Sequence, residues 1–253
     1  MSLIRRESLG RHLVLSLDKS RGNAIDAPLV EELIAAAGDA AADDGVSGVL
    51  LASAHSRLFS PGLDLLGLVE LDREAMRAFM LRFAEATWAL FGLRKPLVAA
   101  VHGHAVAGGC ILALCADWRL IARGAQIGLN EVKVGVPLPW SVSLLLRHSV
   151  APAFQTRVAL LGRNFEGDDA VAVGLADELH ATEGFRDAAL RRLEEFTDKD
   201  AYSFATTKAY LRADALAWMK AHEQARLDEW LDAWFSPATR ARIHKTTDAL
   251  SKK

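Results

Sequence analysis

The sequence predicts an α/β protein, and three observations carry that prediction. Short apolar runs at 48–52, 96–101 and 118–122 are too brief for helices and read as buried strands. Segments with apolar residues at helical spacing, at 27–42 and 72–93, lie between them. Beyond residue 139 the pattern turns almost wholly helical. Strands and helices alternating at this interval imply a largely parallel sheet with right-handed crossovers.

Each element has its own local signal. Residues 12–17 alternate and run into Asp18-Lys-Ser-Arg-Gly-Asn23, so they form a strand or hairpin arm. Asp26 is placed to cap a helix whose first turn tolerates Pro28, and Leu29, Val30, Leu33, Ile34 and Ala37 form its apolar stripe. A loop spans 53–64, with a sharp turn at Pro61-Gly62. Lys95-Pro96 ends the long helix that follows. The strand at 96–101 passes through small residues into a buried helix starting near Gly108, and 118–122 and 125–128 read as two further strands. Helices are then predicted at 140–148, 151–161 and 168–173, a last strand at 178–181, and helix throughout 182–250. Trp218, Trp230, Trp234 and Phe235 crowd that final part as a core or subunit-interface stripe.

Composition narrows the function classes. The chain has 253 residues, 51% apolar and 25% charged, the balance of one large folded domain or a domain with an appendage. A formal net charge of -2 argues against a nucleic-acid or anionic-membrane footprint. The two cysteines, Cys110 and Cys115, fall on different faces of one apolar helix and read as reduced core residues. No His, Cys and carboxylate spacing fits a metal site. With no signal core and no apolar run long enough to span a membrane, a cytoplasmic location is the expectation.

Chemistry is expected at two loops, Ser60-Pro-Gly-Leu-Asp64 and Ala107-Gly-Gly109, each following a strand. Gly108 and Gly109 at a helix start leave backbone N–H groups open at the positive end of the helix dipole, suited to a negative oxygen; close helix–sheet packing explains two glycines equally well. If the two strands are sheet neighbours, one N–H from each loop can converge on a single carbonyl oxygen. Such donors stabilise an enolate by about 3–4 kcal/mol each.

The motifs Phe59-Ser-Pro-Gly-Leu-Asp-Leu65, Lys95-Pro-Leu-Val-Ala-Ala-Val-His-Gly103, Ala107-Gly-Gly-Cys110 and Gly128-Leu-Asn-Glu131, in this order, resemble the crotonase, or enoyl-CoA hydratase/isomerase, superfamily. The resemblance runs from about residue 23 to 180. It implies a ββα spiral core at 1–195, and a helical segment at 196–253 that serves oligomerisation, as a homotrimer or dimer of trimers. It implies an acyl-CoA thioester substrate, with CoA part of that substrate and no separate cofactor. Leu63 and Gly108 would supply the oxyanion N–H groups. Asn23, Ala24, Ser60, Pro61, Gly62, Leu63, Asp64, Leu65, Gly108 and Asn130 would bind substrate or CoA.

Within that family, hydratases resemble one another in carrying two glutamates. The first aligns with Ile111, so it is absent; the second aligns with Glu131. Hydration needs a water held between a base and an acid, whereas moving a double bond from C3–C4 to C2–C3 needs one base. Gly128-Leu-Asn-Glu131 and Pro137-Leu-Pro-Trp140 also look more like Δ3,Δ2-enoyl-CoA isomerases than hydratases. The expectation is therefore an isomerase with Glu131 as its proton shuttle, made more basic by apolar surroundings. The alternatives are a hydratase or other crotonase reaction, and a non-catalytic acyl-CoA-binding or RNA-associated relative. His102 and His104 read as packing residues, and Asp64 equally as a helix cap. Arg5, Arg6, Lys19 and Arg21 are the cations near the end expected to meet CoA phosphates.

Overall fold

The computed structural model describes residues 2–251. The chain opens with an antiparallel hairpin, β1 (Ile4–Leu9) and β2 (His12–Leu17). Strand β1 escapes a hydrophobicity reading because Ile4 alone is buried and the four residues after it face water. A tight turn, α1 (Ser20–Asn23), leads into helix α2 (Ala27–Ala42). Asp26 caps that helix, its carboxylate accepting from the Leu29 N–H at 3.1 Å.

Three turns of a spiral follow. The first is β3 (Gly48–Ser53), β4 (Leu58–Ser60), the short α3 (Leu65–Leu68) and the long α4 (Arg73–Phe91). The second is β5 (Leu97–Val101), β6 (His104–Val106) and α5 (Gly108–Leu114), and the third β7 (Trp118–Ala122), β8 (Gln126–Gly128) and α6 (Glu131–Val134). Helices α7 (Trp140–Ser149) and α8 (Pro152–Ala159) precede β9 (Phe165–Glu166), α9 (Gly167–Ala172) and β10 (Glu178–His180). The chain closes with α10 (Phe185–Thr197), α11 (Ala201–Phe235) and α12 (Pro237–Ser251). The region expected to be helical throughout is thus three helices, broken at 198–200 and 236. Residue 195 lies in the last turn of α10.

Each spiral turn sends its first strand to one sheet and its second to another. The larger sheet has the order β1-β2-β3-β5-β7-β10 and the smaller β4-β6-β8-β9. Neighbours run parallel except at the β1–β2 and β8–β9 pairs. All five residues of β5 are buried, the unbroken apolar run that a strand covered on both faces requires. The small-sheet strands β4 and β6 went unread in the sequence, since three residues are too few for alternation to register.

The long helix α11 is fastened to the spiral by buried charge. Asp117 lies 2.6 Å from Lys208 Nζ and 2.8 Å from the Arg212 guanidinium. Arg212 also donates to the carbonyls of Cys115 and Ala116, at the C-terminal end of α5. Farther along, Glu223 accepts from the Ser141 N–H at 2.7 Å and so caps the start of α7.

Candidate active site

The small sheet organises the site. Its strands β4, β6 and β8 lie side by side and parallel, with Ser60 opposite Ala105 and Val106 opposite Gly128. Their C-terminal ends therefore deliver three segments to one edge: 61–64, 107–109 and 129–131. The two loops expected to cooperate do follow neighbouring strands, the short pair β4 and β6. Ligand sites of parallel α/β sheets form at this end of the strands.

Backbone geometry sets the direction of the first donor. Ile25 pairs with Leu63 in an isolated parallel bridge. The Ile25 N–H bonds the Gly62 carbonyl and the Asp64 N–H bonds the Ile25 carbonyl, both at 2.8 Å. Ile25 thus engages the residues on either side of Leu63, and the Leu63 N–H faces the opposite way. At the second loop Ala107 takes φ 48° and ψ −118°, strained for a residue with a Cβ, as the N-cap of α5. No side chain caps that helix, so the Gly108 N–H at its start is left without a capping acceptor.

A cavity of about 530 Å³ opens where these segments meet. Of the residues picked out in the sequence, Ala24, Pro61, Leu63, Asp64, Leu65, Gly108, Asn130 and Glu131 line it, as does Ile111. Asn23, Ser60 and Gly62 sit behind this wall and hold it. The Asn23 amide donates to Ser53 Oγ and to the Phe59 carbonyl, while the Ser60 hydroxyl donates to the Asn23 carbonyl at 2.8 Å. The Gly62 N–H in turn donates to Ser60 Oγ at 3.2 Å.

Two carboxylates face the cavity, in different states. Asp64 stands 3.5 Å from Lys19 Nζ and 3.8 Å from Arg21, and its side chain makes no cap bond to α3. Glu131 is 8% exposed, and neither of its carboxylate oxygens has a hydrogen-bond partner among the described residues. Burial pushes its pKa up to about 7. Ile111, 3% exposed, offers neither a proton nor a lone pair to that carboxylate's surroundings.

Of the four cations considered for CoA phosphates, Arg5 is paired with Asp18 and Arg6 with Asp39. Lys19 is spent on Asp26, Asp64 and the Ala24 carbonyl. Arg21 alone of the four lines the cavity, with most of its side chain in solvent. His102 shares a 2.7 Å hydrogen bond with the His55 carbonyl, and His104 Nδ1 accepts from the Gln126 N–H, so both are spent on packing loops. Cys110 and Cys115 are buried free thiols.

The sequence reading missed the far wall. Trp230 and Trp234 on α11, Thr246 on α12, and Met80 and Phe83 on α4 also line the cavity. The i, i+4 spacing of the two tryptophans announced a shared face, but nothing local says what that face covers. Trp218, part of the same stripe in the sequence, is 55% exposed.

The two-sheet spiral, with its cavity at the ends of the short strands, defines a crotonase-fold protein. The chain matches the enoyl-CoA hydratase/isomerase family model over residues 13–240 and belongs to that family. It is 32% identical over 197 residues to the probable enoyl-CoA hydratase EchA17 of Mycobacterium tuberculosis, covering 78% of this chain and 75% of that one. It is 27% identical over 192 residues to human mitochondrial enoyl-CoA delta isomerase 1, covering 75% of this chain and 64% of the relative. In fold it is similar to a crystal structure of human mitochondrial delta3-delta2-enoyl-CoA isomerase, with TM-score 0.95, 22% identity, and 99% and 98% of the two chains covered.

Proposed function

We propose that this enzyme shifts the double bond of a 3-enoyl-CoA to the 2-position, with Glu131 as the single proton shuttle. The thioester oxygen sits between the N–H groups of Leu63 and Gly108, which take up the negative charge that develops when C2 loses its proton. Glu131 removes that proton and returns it at C4, so protons and electrons balance with no water consumed. Asn130, beside the shuttle, orients ligand or carboxylate. Ala24, Pro61, Leu63, Asp64 and Leu65 face the CoA moiety, and Arg21 is the cation placed to meet its phosphates.

The observation that supports this reading best is the solitary state of Glu131. It is the cavity carboxylate with no cation beside it, and its pKa of about 7 suits a group that must both take and give a proton near neutrality. Ile111 occupies the place from which a hydratase would bring the first of its two glutamates. The name of the mycobacterial relative, a probable enoyl-CoA hydratase, favours hydration as the rival reaction. The test is incubation of purified enzyme with a 3-enoyl-CoA, following the ultraviolet absorbance of the conjugated 2-enoyl thioester and separating products by mass. Conjugated product without added water supports the isomerase. A 3-hydroxyacyl-CoA formed from either enoyl isomer would replace it with the hydratase.

A further inference from the structure

Lys19 is a buried cation that the proposed reaction does not use. Its side chain is 9% exposed, although it stands at the start of a tight turn and not in the apolar core. Arg21, Gly22 and Asn23 after it all take positive φ, and the Lys19 N–H donates to Asn23 Oδ1 at 2.8 Å. The chain doubles back here, and the Lys19 ammonium comes to lie against three acceptors.

Those acceptors surround the first oxyanion donor. Lys19 Nζ donates to the Ala24 carbonyl at 2.7 Å, and stands 3.2 Å from the Asp26 carboxylate and 3.5 Å from that of Asp64. The three N–H groups of an ammonium thus meet three acceptors. Ala24 and Asp26 flank Ile25, and Asp64 follows Leu63. Ile25 and Leu63 form the isolated bridge that leaves the Leu63 N–H facing away from Ile25. The bridge belongs to no longer ladder, so its geometry depends on ties from side chains. The Ser60 hydroxyl, bonded to the Asn23 carbonyl, ties the two segments before the bridge, and Lys19 ties them beyond it. Ala24, Leu63 and Asp64 line the cavity and Lys19 does not, so its effect on the reaction must pass through them.

We infer that Lys19 is a positioning residue for the oxyanion site: its ammonium clamps the 24–26 segment to Asp64 and so aims the Leu63 N–H at the thioester oxygen. Both Lys19 and Asp64 are nearly closed to water, so salt screens their attraction weakly. A displacement of about 1 Å at a reacting group can cost about 100-fold in rate, so the clamp bears on turnover more than on binding. The inference rests on the acyl-CoA reading above and adds how the first donor of that site is held.

The test compares wild type, Lys19→Met, which loses the charge, and Lys19→Arg, which keeps charge and donors. Kinetics on a 3-enoyl-CoA is paired with the infrared spectrum of a bound saturated acyl-CoA, isotope-labelled at its thioester carbonyl. Hydrogen bonds from the oxyanion site lower the stretching frequency of that carbonyl. Lys19→Met is expected to lose part of the lowering, and its kcat to fall about 10- to 100-fold while KM changes less than about threefold. Lys19→Arg is expected to regain part of both losses. A wild-type band or wild-type kcat in Lys19→Met overturns the inference, as does no recovery in Lys19→Arg. A merely structural lysine would leave the bound carbonyl unmoved. Should Lys19→Met not fold, Asp64→Asn removes the anchor charge beside Leu63, and a carbonyl band unchanged there overturns the inference equally. A wild-type band that is not lowered on binding, or a thioester that does not bind at all, would instead strike the acyl-CoA reading itself.

Discussion

Gly62 is packed directly against Gly108: a Cβ built on Gly62 would fall 3.0 Å from the Gly108 amide nitrogen, and one built on Gly108 would fall 3.1 Å from Gly62 Cα. The two turns proposed to form the oxyanion site touch backbone to backbone, with no room for a side chain between them. Gly62 also takes φ +96°, a conformation natural only to glycine.

Gly108→Ala should therefore wedge the turns apart and displace one donor. Turnover is expected to fall about 100-fold or more, the cost of losing one oxyanion-hole donor, with the affinity for acyl-CoA less affected. Steady-state kinetics beside a calorimetric titration of a saturated acyl-CoA checks the split. Equal losses in both would show that Gly108 serves general packing.

Glu131→Gln should abolish isomerisation while acyl-CoA still binds, because the proposed oxyanion donors are main-chain groups. Surviving turnover would mean that another group is the base.

The same carboxylate makes a prediction about stability. Its folded-state pKa of about 7 lies above the value of 4.5 for an unhindered glutamate, so the folded state holds the proton more tightly than the unfolded chain does. Stability from this group is present below pH 4.5 and is lost as pH rises through 7, by about 3 kcal/mol in all. Denaturation of wild type and Glu131→Gln at pH 5 and pH 8 should show the variant gaining relative stability at the higher pH. The rate of the wild type should rise with an apparent pKa near 7 as the carboxylate forms.

Asp117→Ala should cost about 3–5 kcal/mol of stability, since it leaves Lys208 and Arg212 buried without their counter-charge. Desolvation already draws the Lys208 pKa down to about 8. Urea unfolding measures the loss. A change below 1 kcal/mol would show that α11 is held by its apolar face alone.

Arg21→Ala should raise KM for the thioester several-fold with little change in kcat, and should flatten the salt dependence of KM. The guanidinium is largely in solvent, so its attraction for phosphate is screened by added ions. Kinetics across a range of salt concentrations tests this directly.

How much of this could be read from the chain follows the range of the interactions involved. Capping by Asp26, the buried run of β5 and the Gly108 helix start are settled between residues a few positions apart, and each stood where the residues pointed. The order in which the motifs recur marked the family, and with it Leu63, Gly108 and Glu131 as one constellation. What no stretch of sequence expresses is which distant elements meet. The short strands β4, β6 and β8 acquire their meaning only by lying side by side. Asn23, Ser60 and Gly62 proved to brace the wall that their neighbours face.

The sequence by itself determined an α/β alternation, a glycine-lined helix start and one unmatched glutamate, because these depend on local backbone preference and on residue chemistry. Tertiary structure alone decided that Trp230 and Trp234, about a hundred residues away in the chain, line the same cavity as Ile111 and Glu131. A helix face records that it is apolar, but burial has no direction along the chain, so its partner emerges only when the whole chain has packed.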